Sequence, residues 1–267
     1  IRDVCLSRGL GDVYKRQALE ALLGWWLEVG PALGNISPKI LLREDIWTGL
    51  NFTNKTYYVS RTVLLRWEEE DLWRLVLRQA LHTSPTLAKL IQQQASIELS
   101  RLDSTPQLNV LRKGLFPLWG ERMGRGNKSY TSNWVRSRIS DYKENRFPRS
   151  LILLLQRAVE NEKTAYDRNP YEAVLRPRSL IEALSKVSEE RVNEVYNEYP
   201  EFVVYLEKLA GERSPIDGER LKAIWQVDSV KLKELVTSMA AAGILQKYTS
   251  RPLLPDSEGR YSVAELY

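Results

Sequence analysis

Two short, mainly apolar runs near the N-terminal end, each bounded by charged residues, constrain the fold of this chain most strongly. They are residues 39–42 and 62–65, and an amphipathic helix is predicted after the second run, from 68 to about 81. Continuous apolar runs of this length are typical of parallel strands that helices cover on both faces. Ligands of open α/β sheets bind beyond the carboxyl ends of the strands, so Arg43 and Asp45, just after the first run, are predicted site residues.

A phosphate-binding loop of the form GxxxxGK[ST] is absent from the 267 residues. The closest segment is 120–129, but Asn127 separates Gly126 from Lys128 and no apolar strand leads into the segment. A working loop needs backbone amides that curl around the phosphates at a strand-to-helix turn. The sequence therefore predicts a flexible basic loop here. The acidic residues 68–71 are predicted to stabilise the start of the following helix rather than to bind magnesium.

Residues 200–267 show the element pattern of a winged helix, with a loop between the last two strands as the wing. The predicted elements are helices at 201–209, at 217–225 and from 229 to a stop at 240–243, and strands at 244–248 and 261–263. The third helix presents Lys231 and Lys233 against Glu234, which is little net positive charge for neutralising DNA phosphates. Docking against a protein surface and weak DNA binding both remain open for this part of the chain.

Four segments in succession resemble a group of large bacterial P-loop ATPases, the AAA+/STAND-like proteins with a helical lid and a C-terminal winged helix. The segments are LREDIW, VLLRWEEEDLWRLVLRQAL, FPRSLILLLQRAVE and SLIEALSKVSEERVNEVYNEYP. The likeness extends in this order over residues 18–267. It implies a mostly α chain that comprises the last strands of an α/β P-loop core, a helical lid and the winged helix.

The resemblance divides the chain into three parts behind an N-terminal segment of different character. Residues 1–17 look like translated sequencing-adapter sequence at the end of a metagenomic reading frame, and we expect them to add nothing to the fold. Helical periodicity is predicted to begin at Ala18. The expected parts are the C-terminal part of an α/β ATPase core at 18–85, the helical lid at 86–199 and the winged-helix domain at 200–267.

The segment around Pro148 holds a third candidate site residue, Arg149. Proline is favoured in the first turn of a helix, which places Arg149 at the start of an apolar helix predicted to end near Glu162. In the proteins that this chain resembles, such a lid arginine reaches the γ-phosphate of the nucleotide, because guanidinium offers a rigid donor fork to phosphate oxygens. The alternative is an arginine that is solvated or paired with a carboxylate. Arg43, Asp45 and Arg149 are thus the candidate nucleotide-sensing positions.

Composition excludes several kinds of site. The formal net charge of +5 falls to +3 without residues 1–17, which does not by itself indicate a nucleic-acid partner. The one cysteine, Cys5, lies in that segment, and His82 is the one histidine. Thiolate nucleophiles, disulfide frameworks and multi-histidine metal sites are therefore excluded from the rest of the chain. No apolar run approaches the roughly 18 residues of a membrane span, and a cytoplasmic location is expected.

The resemblance implies that the whole protein couples ATP binding or hydrolysis to a conformational or assembly change, with ATP and Mg²⁺ bound in the intact parent. The fragment lacks the phosphate-binding loop, so alone it is expected to take no cofactor and not to hydrolyse ATP. Its expected partners are the intact ATPase core or a protein bound through the winged helix. The alternative is a non-enzymatic winged-helix DNA-binding regulator, in which the winged helix and the basic loop 121–129 bind the duplex.

Overall fold

The computed structural model describes residues 2–104, 107–164, 172–248 and 259–267. It is mostly helical, with 61% helix and 6% strand, and this confirms the mostly α prediction. The chain forms two compact units, Ile1–Leu65 and Arg66–Tyr267. None of the helices in the described ranges is long and apolar enough to cross a bilayer.

The first unit consists of one long helix and shorter helical turns. Helix α1 covers Arg2–Val29 and continues into a 3-10 turn at Gly30–Ala32, while α2 covers Glu44–Gly49 and α3 covers Thr56–Val59. Helical backbone therefore begins well before Ala18, where periodicity alone predicted the start.

Two long-range hydrogen bonds tie the segment after α2 to α1. The Asn51 N–H donates to Oε1 of Glu20 at 2.6 Å, and the Tyr58 hydroxyl donates to the Leu23 carbonyl at 2.8 Å. Tyr58 also packs edge to face with Trp47, their ring centroids 6.3 Å apart. These contacts give the first unit its compactness.

The two predicted strands are not formed in this structure. Residues 39–42 and 62–65 belong to no strand or helix, and all their apolar side chains except that of half-buried Leu42 are exposed, Leu41 by 84% and Val63 by 78%. A strand needs a neighbouring strand to satisfy its N–H and C=O groups, and the described residues of this unit provide none. Arg43 consequently lies at the N-cap of α2 instead of at a strand end.

The second unit begins with a helical region built around one apolar core. Its helices are α4 (Glu69–Thr83), α5 (Pro85–Ala95), α6 (Leu108–Gly114), α7 (Phe116–Trp119), α8 (Thr131–Arg138), α9 (Pro148–Thr164) and α10 (Pro177–Glu198). Trp73 and Trp119 are fully buried in this core and meet edge to face at 5.6 Å. The helix predicted after 68 is confirmed as α4. Its acidic start is stabilised as predicted, because Oδ2 of Asp71 accepts the Glu68 N–H at 3.1 Å.

A buried carboxylate joins three of these helices. Glu69 of α4 accepts a hydrogen bond from Nε1 of Trp73 at 2.9 Å, from Nε of Arg112 in α6 at 2.9 Å, and from Arg136 in α8 at 3.2 Å. A buried carboxylate is tolerated only where such donors replace water. Glu69 therefore fixes α6 and α8 against α4, a role that its place in an acidic first turn does not reveal.

Helices α9 and α10 form an antiparallel pair. Near the end of α9, Glu162 accepts from Arg176, just before α10, at 2.7 Å. At the other end, Arg149 of α9 pairs with Glu194 of α10 at 2.9 Å. The sequence pattern predicts two helices between 176 and 198, whereas the structure has a single helix here, because its buried positions continue in register through Val187, Arg191 and Val195.

The C-terminal region, residues 200–267, combines short helices with a three-stranded antiparallel sheet. Its elements are a 3-10 turn (Pro200–Phe202), α11 (Val203–Glu207), β1 (Ile216–Asp217), α12 (Gly218–Trp225), α13 (Ser229–Ala241), β2 (Leu245–Tyr248) and β3 (Arg260–Val263). The sheet order is β1-β3-β2. The predicted helices and the two predicted strands are present, and Asp228 caps α13 by accepting the Lys231 N–H at 2.7 Å. Most of the predicted wing, 249–258, lies outside the described residues.

The end of the chain packs into the helical region. Leu266 is fully buried among the residues of the helical core. Just before it in the chain, Oγ of Ser262 accepts from the Tyr142 hydroxyl at 2.8 Å, and Glu265 pairs with Arg138 at 3.0 Å. The C-terminal region and the helical region are thus joined by side chains of the last six residues.

Candidate functional site

The three predicted site residues fall into two groups. Arg43 precedes α2 and is exposed, and Asp45 is the second residue of that helix. Both belong to the first compact unit, whereas Arg149 belongs to the second. Along the backbone, Arg43 and Asp45 lie two positions apart at the start of one short helix.

Arg149 is the candidate with the most defined surroundings. It is the second residue of α9, behind Pro148, as the sequence predicts. Its side chain is 79% exposed and pairs with Oε1 of Glu194 at 2.9 Å. An ion pair this exposed contributes little to stability, about 0–1 kcal/mol, so an anion in solution can compete for the guanidinium.

Glu194 also pairs with a second arginine, and this arginine is buried. Oε2 of Glu194 accepts from Arg191 at 2.8 Å, and the Arg191 side chain is only 9% exposed. The Arg191 guanidinium lies 3.9 Å from the ring centroid of Phe147 and 3.5 Å from the hydroxyl of Tyr267. We call these five residues the Glu194 cluster: Phe147, Arg149, Arg191, Glu194 and Tyr267.

Most of this cluster cannot be recognised from the sequence. The charges between 188 and 198 are predicted to form a solvated face, and for Arg191 this prediction was wrong. The usable signal is weak: Arg191 falls on the apolar stripe of α10, four residues after Val187 and four before Val195. No sequence signal shows that the C-terminal Tyr267 contacts this helix, because the contact spans 76 positions.

Burial shapes the electrostatics of the cluster. It raises the pKa of the Tyr267 hydroxyl above 10.0, and the neighbouring Arg191 opposes this shift. For Arg191, burial acts to lower the pKa, but the interactions with Tyr267 and Glu194 outweigh it and leave the pKa above its ordinary value. Arg191 is therefore a permanent positive charge between an aromatic pair and a carboxylate.

The motif Pro-Arg-Ser occurs at 148–150 and again at 177–179, so Arg149 can be compared with a second arginine in the same local position. Arg178 is the second residue of α10, behind Pro177, and it is also highly exposed. Its ion pair is with Glu182 at 2.6 Å, four residues along the same helix. The two arginines thus share local geometry, but Arg149 pairs across to another helix and Arg178 pairs along its own.

The described residues fit part of a nucleotide site. The exposed guanidinium of Arg149, beside the amide end of α9, fits contact with phosphate oxygens. By contrast, no cluster of carboxylate, histidine or cysteine side chains within the described ranges could hold a metal ion. The residues therefore fit a phosphate contact and do not fit a magnesium site in this part of the chain.

The glycine-containing loop near 120–129 has the geometry of a closed turn. The Met123 N–H donates to the Ser129 carbonyl at 3.0 Å, and Arg122 donates to the Lys128 carbonyl at 2.8 Å. The Arg122 guanidinium also lies 4.1 Å from the ring centroid of Tyr130. This loop connects α7 to α8, so it follows a helix and not the strand that a phosphate cradle requires.

Any functional assignment for this chain has to come from these residues. The best-defined polar arrangement with an exposed end is Arg149 paired with Glu194, with the buried Arg191 behind it. No protein-family model, no curated protein and no solved structure matches the chain.

Proposed function

We propose that this chain is the C-terminal part of a P-loop ATPase of AAA+/STAND type, in which ATP binding or hydrolysis is coupled to a conformational or assembly change. In this proposal the helical region is the lid, and Arg149 contacts the γ-phosphate of a nucleotide held by the intact core. The observation that supports it best is the position of Arg149. It is an exposed guanidinium in the first turn of a long helix, held by one surface ion pair.

The chemistry of such a contact follows from the side chain. Guanidinium presents parallel N–H donors that match two phosphate oxygens, and it stays charged at any physiological pH. Its contact with the γ-phosphate would exist in the ATP state and not in the ADP state. Arg149 would therefore distinguish the two nucleotides and stabilise charge that develops during phosphoryl transfer.

The exposed apolar runs are consistent with this proposal. Residues 39–42 and 62–65 have β-type sequences but no partner strand among the described residues of their unit. In the intact protein they would form the last strands of the core sheet, with Arg43 and Asp45 beyond the first strand at the nucleotide edge.

The C-terminal region supports the assignment of a winged helix. Its order of helix, strand, two helices and two strands, with the β1-β3-β2 sheet, is the arrangement expected of that module. We propose that it acts by docking to the ATPase core or to a protein partner, and that the whole protein works in the cytoplasm.

The test is substitution of Arg149 in the intact protein. Arg149→Ala should lower ATP turnover about 10- to 1,000-fold, as loss of a charge-stabilising donor does, while ADP affinity changes little. Arg149→Lys should restore turnover poorly, because a point charge cannot replace the two-pronged donor. Steady-state kinetics and ADP calorimetry give the two readouts.

Arg178→Ala is the matched control, since it removes an exposed arginine from the same position of the neighbouring helix. Turnover of this control should stay near that of the parent. If Arg149→Ala alters ATP turnover and ADP binding equally, or alters neither, Arg149 does not sense the γ-phosphate.

A further inference from the structure

The Glu194 carboxylate joins an exposed arginine to the end of the chain. One of its oxygens pairs with Arg149 and the other pairs with Arg191, which in turn contacts Tyr267. We propose that Glu194 couples its ion pair with Arg149 to the docking of the C-terminal segment 264–267. When Arg149 leaves Glu194, that segment packs less tightly against the helical region.

The two arginines that pair with Glu194 differ in burial. Arg191 is enclosed between the rings of Phe147 and Tyr267, at 3.9 Å and 5.8 Å, and its side chain is almost fully buried. Arg149 is mostly exposed. When the cluster rearranges, Arg149 is therefore the partner that leaves Glu194, and Arg191 is the partner that stays.

The direction of the coupling follows from charge. With Arg149 in place, two guanidinium groups share one carboxylate, and Arg191 can also reach the Tyr267 hydroxyl. Once Arg149 has left, Arg191 alone neutralises Glu194, so its donors turn toward the carboxylate. The contact with Tyr267, already long at 3.5 Å, is the one that is given up.

The link is indirect, which makes it testable. No hydrogen bond, ion pair or ring contact joins Arg149 to Tyr267 within the described part of the chain. The route from Arg149 to Tyr267 through ion pairs and hydrogen bonds runs through Glu194 and Arg191. Coupling of this kind is reciprocal, so loosening of the C-terminal segment would also favour release of Arg149.

This inference rests on the proposed function only for the identity of the anion that attracts Arg149. If that anion is the γ-phosphate, nucleotide binding at the lid loosens the attachment of the C-terminal region to the helical region. While the segment is docked, the ion pair with Glu194 would hold Arg149 away from phosphate. This is an autoinhibitory arrangement.

Hydrogen exchange of the peptide 259–267 tests the coupling directly in the whole chain. The Ala264 N–H donates to the Ile244 carbonyl at 3.0 Å and the Tyr267 N–H donates to the Ala264 carbonyl at 2.9 Å, so these amides report on the order of the segment 264–267. Arg149→Ala should speed their exchange about two- to fivefold, the range that corresponds to an exposed ion pair. The control Arg178→Ala should leave the exchange unchanged.

The decisive comparison repeats Arg149→Ala in a Glu194→Gln background. Glutamine keeps the shape of the side chain but removes the charge that both arginines share. There, Arg149→Ala should change the exchange by less than about 1.5-fold, the non-additivity expected of two residues in one ion-pair network. An equal effect in both backgrounds, or no effect in the parent, would overturn the proposal.

A second arm separates this inference from the proposed function. Addition of Mg-ATP to the intact protein should speed exchange of the same peptide, and ADP should not. If the substitutions show coupling through Glu194 but Mg-ATP does not alter exchange, the coupling stands and Arg149 is not a γ-phosphate sensor.

Discussion

Glu69 is a buried carboxylate that depends on donors from three helices of the helical region. These donors include both Nε and a terminal nitrogen of Arg112. Removal of the carboxylate would leave Nε1 of Trp73 buried without an acceptor. The two arginines lose less, because each is partly exposed and can turn to water.

We therefore expect Glu69→Ala to lower the free energy of unfolding by about 1.5–3 kcal/mol, the cost of losing charged hydrogen bonds at a buried site. Glu70→Ala is the matched control, since it removes a carboxylate from the same first turn of α4 without touching the buried network. It should cost less than about 0.5 kcal/mol. Urea denaturation measures both, and similar losses in the two variants would contradict a specific role for Glu69.

At the same scale, the sequence predicted the position of Arg149 but not the residues around it. The dipeptide Pro148-Arg149 predicted an arginine in the first turn of a helix, because the preference of proline for that turn depends only on neighbouring residues. Glu194, Arg191 and Tyr267 could not be predicted as its neighbours, because their association depends on how α9, α10 and the C-terminal segment pack.

Among elements, helices with clear caps were predicted correctly, whereas the strands predicted at 39–42 and 62–65 did not form. Helix α4 and helix α13 were predicted because each has a capping residue and an apolar stripe within its own sequence. The runs 39–42 and 62–65 have equally clear β-type sequences, but a strand exists only with a partner strand. Strand β1 went unpredicted because two residues have no measurable periodicity.

The exposed face of α13 carries little net positive charge. This face is formed by Ser229, Val230, Lys233, Glu234, Thr237 and Ser238. Lys231, beside it, pairs with Glu234 at 3.0 Å, so part of the small positive charge of the helix is already neutralised. Each phosphate contact adds a salt slope of only about −0.9, and too few cations are present to add many.

We expect the whole chain to bind a random DNA duplex weakly at about 50 mM salt and not measurably at about 200 mM. Glu234→Gln should strengthen the low-salt binding, because it frees Lys231. Glu182→Gln adds the same charge on α10 and should change binding less. Fluorescence anisotropy measures all three, and sequence-selective binding that survives the higher salt would favour the DNA-binding regulator.

For the molecule as a whole, the exposed guanidinium of Arg149 is not enough to form a nucleotide site. The closed loop near 120–129 offers no phosphate cradle, and the described residues offer no metal-binding cluster. We therefore expect calorimetry of this chain with Mg-ATP to show no micromolar site and assays to show no turnover above background. Turnover that disappears on Arg149→Ala in this chain alone would contradict that expectation.

The burial of Leu266 has a consequence for how the protein is made. Leu266 is a full member of the helical core, yet it leaves the ribosome after every other member of that core. Until residue 266 has been translated, the helical core lacks one of its fully buried side chains. Completion of this core therefore depends on a residue from the C-terminal region.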